Sequence, residues 1–130
     1  MSSSKAVYKN AWPYQQDKMN LPVRNVAASL DFYETFMGFH RVAEKNDPVK
    51  VAVLERDLVQ IGLAENGGDP TQDGCFFEVD DADAARGELI ENGLSGISEF
   101  RTDKQGETYW KVFFVVAPDG LCYCIGEKQK

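Results

Sequence analysis

The sequence predicts an α+β fold: two βαβββ modules forming a curved mixed sheet around a cavity. Two observations carry this. The order strand, helix, three strands can be read twice along the chain. The two helices also begin alike. Val23-Arg24-Asn25-Val26 and Val79-Asp80-Asp81-Ala82 each give a strand end, a capping side chain and a helix start, and each helix runs on to a glycine. A repeated unit that cannot bury its sheet alone is stabilised by packing against its copy. The 130 residues fit one domain and are enough to bury a core without a disulfide or metal staple.

Residues 1–17 are polar with scattered aromatics, Tyr8, Trp12 and Tyr14, and Pro13 blocks a long helix. They are expected to form an N-terminal arm that packs on the body or on a second subunit. The remainder, 18–130, is expected to be a single domain with modules over 18–66 and 74–127. Met19–Val23 is read as the first strand. Asn25 caps a helix in which Val26, Leu30, Tyr33 and Met37 recur at helical spacing, and Gly38 ends it. Phe39–Ala43 is read as a strand. Val49–Glu55 and Leu58–Ala64 follow as two more, turned by Arg56-Asp57. A glycine-rich stretch over 65–74 links the halves. Cys75–Val79 opens the second module, and Asp81 caps a helix with Ala82, Ala85 and Leu89 on its apolar side. Asn92-Gly93 stops that helix. Ile97–Thr102 is read as a strand, Asp103–Gly106 as a turn, and Tyr109–Val116 as a strongly β-forming run. Ala117-Pro118-Asp119-Gly120 is a tight turn before the last strand, Leu121–Ile125.

The totals exclude some function classes. A net charge of −7 and an isoelectric point near 4.7 repel a polyanion, so no nucleic acid partner is expected. No apolar run approaches the roughly 20 residues that cross a bilayer, so no membrane partner is expected either. The start, Met-Ser-Ser-Ser-Lys, lacks the apolar stretch of a secretory signal. Of the three cysteines, Cys122 and Cys124 are two apart on one strand, a spacing that does not suit a disulfide. Reduced thiols and a cytoplasmic location are therefore expected.

Three patches carry a resemblance. Leu21-Pro-Val-Arg-Asn-Val-Ala-Ala-Ser-Leu-Asp-Phe-Tyr33, followed by Met37-Gly-Phe39, resembles the opening signature of the vicinal oxygen chelate superfamily. That superfamily includes glyoxalase I, extradiol dioxygenases, fosfomycin-resistance enzymes and bleomycin-binding proteins. Phe77-Glu-Val-Asp-Asp-Ala-Asp-Ala84 resembles the start of its second module, and Val115-Val-Ala-Pro-Asp-Gly120 its closing turn. The resemblance implies the glyoxalase/bleomycin-resistance fold, of the metal-free, bleomycin-resistance-like type. The patches are specific for a fold and not for a function, because the superfamily hosts unrelated chemistries.

Metal-dependent members present His and Glu from four strands, where a divalent ion polarises paired substrate oxygens. Carried over one by one, those four places fall on Lys18, Gly62, Gly74 and Cys124. An error of a residue or two would substitute Asp17 or Met19, Gln60 or Ile61, Cys75, and Tyr123 or Ile125, and none restores a His/Glu set. The single histidine, His40, falls at the start of a strand that supplies no ligand in the family. No metal site and no cofactor are expected.

Strand alternation turns Lys18, Asn20, Gln60, Gly62, Phe76, Glu78, Cys122 and Cys124 towards the cavity. Trp110, with Tyr109, follows a polar hairpin and borders the cavity mouth or a subunit interface. Phe76 offers a face for a planar ligand, with Lys18, Gln60 and Glu78 to orient it, and Arg101 and Lys111 are candidates for an anionic group. Phe113 and Phe114 are read as core. The leading expectation is a metal-independent small-molecule binding protein of the bleomycin-resistance type, sequestering a planar or cationic ligand and conferring antibiotic resistance, rather than an enzyme. The alternative is a lyase, isomerase or dioxygenase-like enzyme using a cavity acid or base, with Glu78 or Cys124 as the catalytic candidate. An interaction protein working through its dimer surface is a third reading. The resemblance implies modules that pair across chains, so a homodimer is expected.

Overall fold

Two polar side chains set where the helices start. Asn25 and Asp81 both sit in extended backbone, at φ −149°, ψ 109° and φ −150°, ψ 103°. Each side chain accepts a hydrogen bond from the backbone N–H three residues on, Ala28 and Ala84, at 2.9 Å. In the computed structural model, which describes residues 6–14 and 17–129, these caps open α1 (Val26–Asp31) and α2 (Ala82–Glu91). A π-helical turn, Phe32–Phe36, continues α1, and Gly38, at φ +76°, ends it where a side chain would be strained.

Nine strands surround the helices among the described residues: β1 (Tyr8–Pro13), β2 (Leu21–Pro22), β3 (His40–Lys45), β4 (Val51–Arg56), β5 (Val59–Ala64), β6 (Asp73–Val79), β7 (Arg101–Gln105), β8 (Thr108–Val116) and β9 (Cys122–Gln129). They form a four-stranded sheet in the order β2-β5-β4-β3 and a five-stranded one in the order β1-β6-β9-β8-β7. The repeat is topological as well as sequential. In each module the strand before the helix lies parallel to the last strand, β2 beside β5 and β6 beside β9. The second module's sheet gains β1, antiparallel to β6.

One core joins the modules. Val26, Leu30 and Tyr33 meet Leu54, Ile61, Phe77, Phe113 and Tyr123 in a single apolar cluster between the sheets and helices. Three polar links cross it. The Tyr33 and Tyr123 hydroxyls lie 2.5 Å apart. Asp119, in the predicted Pro-Asp-Gly turn, accepts from Ser29 Oγ at 2.9 Å and from the Arg24 N–H at 3.1 Å. Arg56 donates twice to Glu88, at 2.7 Å each.

Several sequence expectations need correction. The first strand shrinks from Met19–Val23 to Leu21–Pro22. Residues 17–20 turn instead, with the Asn20 N–H on the Asp17 carbonyl at 2.8 Å and the Met19 N–H on its side chain at 3.0 Å. The strand expected at Ile97–Thr102 moves to Arg101–Gln105, because Ser98 bonds irregularly to Phe114 and delays regular pairing. Of the arm expected over 1–17, residues 1–5, 15 and 16 lie outside the described residues, and Tyr8–Pro13 is a sheet strand.

Candidate functional site

Side chains alternate across β6, β8 and β9. Cys75, Phe77, Phe113, Val115, Tyr123 and Ile125 turn towards the helices and enter the main core. Phe76, Trp110, Val112 and Cys124 turn the other way into a second, smaller cluster, with Phe114 packed against it. This open face of the five-stranded sheet is the candidate site.

β1 completes it. Trp12 pairs with Phe76 in register, and its ring centroid lies 5.7 Å from that of Phe76 and 6.2 Å from that of Trp110. Phe76 and Trp110 meet edge to face at 5.1 Å. Phe76 and Trp110 are almost covered, at 5% and 8% exposure, whereas Trp12 is 46% exposed. Trp12 is thus a platform with its back supported and one side open. Gly126 makes room for the supporting Phe76 ring: a Cβ there would come 2.6 Å from Phe76 Cζ and 2.9 Å from a Val112 methyl.

Two clefts flank the aromatic cluster. The larger, about 460 Å³, is lined by Lys9, Glu78, Asp80, Glu127 and Lys128 among others. The smaller, about 160 Å³, is lined by Tyr14, Asp73, Arg101, Asp103, Phe114, Cys122 and Cys124. The face therefore offers carboxylates and cations at both ends of an apolar middle. Glu78 is held by Asn10 Nδ2 at 2.6 Å and faces Lys9 Nζ at 3.7 Å. Arg101 is paired with Asp103 at 2.9 Å and lies 4.8 Å over the Phe114 ring. Burial pushes the Cys124 thiol up to about 12 and raises Cys122 as well, so both are neutral thiols near neutral pH. Cys75, on the other face, is likewise pushed up to about 12 by burial.

Of the residues expected at the site, Phe76, Glu78, Trp110, Cys122 and Cys124 share this face. Gln60 and Gly62 belong to β5 in the other sheet. Lys18 and Asn20 sit in the turn before β2 and not on a strand, so alternation does not place them; Lys18 Nζ lies 3.5 Å from the Ala11 carbonyl. Lys111 lies on the helix side, 2.9 Å from Asp83. Phe113 is core as expected, but Phe114 packs on the open face. His40 is exposed, 3.8 Å from Glu55. Asn10, Trp12 and Tyr14 were absent from the expected set. Their only sequence signal was the aromatic pair flanking Pro13.

The four places where the family's metal-dependent members bind an ion do not fit one here. At Gly62 a side chain would run into the Met19 backbone, and at Gly74 into the Tyr123 ring. Lys18 supplies neither an imidazole nor a carboxylate, and burial keeps the proton on the Cys124 thiol. Among the described residues no three His, Cys, Asp or Glu side chains gather to hold a metal. No described helix is long and apolar enough to cross a membrane.

The family model of the Glyoxalase/Bleomycin resistance protein/Dioxygenase superfamily matches residues 15–121. No curated protein matches the chain. Solved structures do. A bleomycin resistance determinant encoded on the transposon Tn5 is 21% identical, with a TM-score of 0.69 over 88% of this chain and 98% of the other. A bleomycin-binding protein from bleomycin-producing Streptomyces verticillus, complexed with copper(II)-bleomycin, is 18% identical, with a TM-score of 0.66 over 99% of both chains. An integron cassette protein from the mobile metagenome of Vibrio cholerae is 18% identical, with a TM-score of 0.65 over 88% of this chain and 94% of the other. At such identity the likeness is one of fold.

Proposed function

Because the chain belongs to the glyoxalase/bleomycin resistance protein/dioxygenase superfamily, whose fold serves several chemistries, we propose its function from the open face: metal-independent binding of a planar, cationic small molecule. The observation that carries this is Trp12, half exposed and backed by two buried aromatics. A flat ligand stacks on such a surface at little entropic cost, since the rings beneath are already packed. A cationic ring gains further from the indole face. The clefts at either end give its substituents Asp73, Asp80 and Asp103 to approach, and the −7 net charge raises the local concentration of cations. Bleomycin, bound by two of the structural neighbours, has the class of chemistry the face suits. Sequestering such a compound would protect its host from it.

The chain acts as a homodimer in this reading. Val116, 59% exposed and on the Trp110 side of β8, offers apolar surface to a partner. Light scattering at micromolar concentration should give twice the chain mass; a monomer would count against it.

Calorimetric titration with bleomycin and with ethidium tests the binding. The expected result is a saturable heat with Kd of about 10 μM or tighter for at least one of them. No binding up to millimolar ligand would refute the reading.

A further inference from the structure

The geometry points to Glu78 as a positioning residue that fixes the register of β1 and so keeps Trp12 on the open face; this deepens the binding reading and rests on it. Tyr8 and Trp12 are an even number of residues apart, so in a regular strand they would face the same way. They do not. Tyr8 lies in the main core between Phe39 and Phe77, with the Arg56 guanidinium 4.2 Å from its ring centre. Trp12 lies on the opposite side, against Phe76 and Trp110.

One extra residue reconciles the two. Tyr8 pairs with Val79 and Asn10 with Glu78, so Lys9 and Asn10 together oppose Glu78. The Glu78 carboxylate serves both: Oε1 accepts from Asn10 Nδ2 at 2.6 Å, and Oε2 faces Lys9 Nζ at 3.7 Å. The ends of the segment are tied separately. Asp57 accepts from the Tyr8 N–H at 2.9 Å, and the Tyr14 N–H donates to the Gly74 carbonyl at 3.1 Å. Neither unbulged register is open. With Tyr8 kept in place, Asn10 and Trp12 would fall opposite Phe77 and Cys75 in the core. With Trp12 kept in place, Lys9 would fall opposite buried Val79. The bulge is therefore required, and Glu78 is the group that holds it.

The chain has two tryptophans, so Trp110→Phe leaves Trp12 as the only indole emitter. In that background, Glu78→Ala should raise acrylamide quenching of Trp12 about twofold as the strand loosens, and weaken ethidium binding about tenfold. Glu78→Gln keeps an acceptor for Asn10 and should stay within about twofold on both measures. Deleting Lys9 in the Glu78→Ala protein should restore both, because a strand without the extra residue keeps Tyr8 and Trp12 in register with no bulge to hold. Unchanged quenching in Glu78→Ala, or no rescue by the deletion, overturns the assignment; a glutamate that simply touched the ligand would give both. Should Glu78→Ala not fold, the Lys9 deletion alone decides: Trp12 quenching as in the parent supports the register, and a change overturns it. If the quenching pattern holds while ethidium binds no variant, the assignment of Glu78 stands and the binding reading falls.

Discussion

Replacing Glu88 with alanine strips a buried guanidinium of its bidentate counter-charge and leaves it the more exposed Asp57 carboxylate, 3.3 Å from Nε. Arg56 and Glu88 are 6% and 7% exposed, and their two 2.7 Å hydrogen bonds form a bidentate pair between β4 of the first module and α2 of the second. Arg56 also donates to the Met37 carbonyl at 2.7 Å and the Ala6 carbonyl at 3.0 Å, so it cannot swing out to water without breaking both. Removing one partner of such a pair costs about 3–5 kcal/mol, mostly the desolvated charge left behind. For a chain of 130 residues this lowers Tm by roughly 11–18 °C. Urea and thermal unfolding followed by circular dichroism measure it. The double replacement Arg56→Met with Glu88→Leu should recover only part of the loss, since an apolar pair of similar size avoids the desolvation while the Met37 and Ala6 carbonyls lose their donor. A Glu88→Ala cost below about 1 kcal/mol would refute the view that this pair joins the modules.

Two further outcomes follow from the packing and from the buried hydroxyls. Gly126→Ala forces Phe76 away from the strand, an overpacking of about 1–3 kcal/mol, and should weaken ethidium binding measured by calorimetry; unchanged affinity would mean that the Phe76 support is irrelevant. Burial raises the phenols of Tyr8, Tyr33 and Tyr123 above their ordinary value of 10.0, so the folded state holds those protons more tightly than the unfolded chain. Their contribution to stability is fully present below about pH 10 and is lost as pH rises above it, so urea midpoints should fall there together with the appearance of phenolate absorbance. A midpoint that stays level through that range would contradict their burial.

The fold was legible because its determinants are local. Asn25 and Asp81 announce the helices through side chains that cap three residues ahead, and Pro118-Asp119-Gly120 announces the last turn. The alternation of β6 and β9 put Phe76, Glu78, Cys122 and Cys124 on one face for the same reason. Trp12 was not legible, since its place depends on pairing with Phe76, which lies far along the chain, and on a bulge that breaks the alternation of β1. Lys18 and Asn20 were misplaced because Asp17 turns the chain where the apolar pattern reads as strand. Phe114 was read as core because a run from Val112 to Val116 shows no polar residue to mark its phase.

That Trp12 is the platform on which a ligand stacks is tested most directly by its own emission. In the Trp110→Phe protein, titration with the compound that gives the calorimetric signal should quench Trp12 saturably, with the same midpoint as the heat. Binding heat with Trp12 emission unchanged would contradict the account.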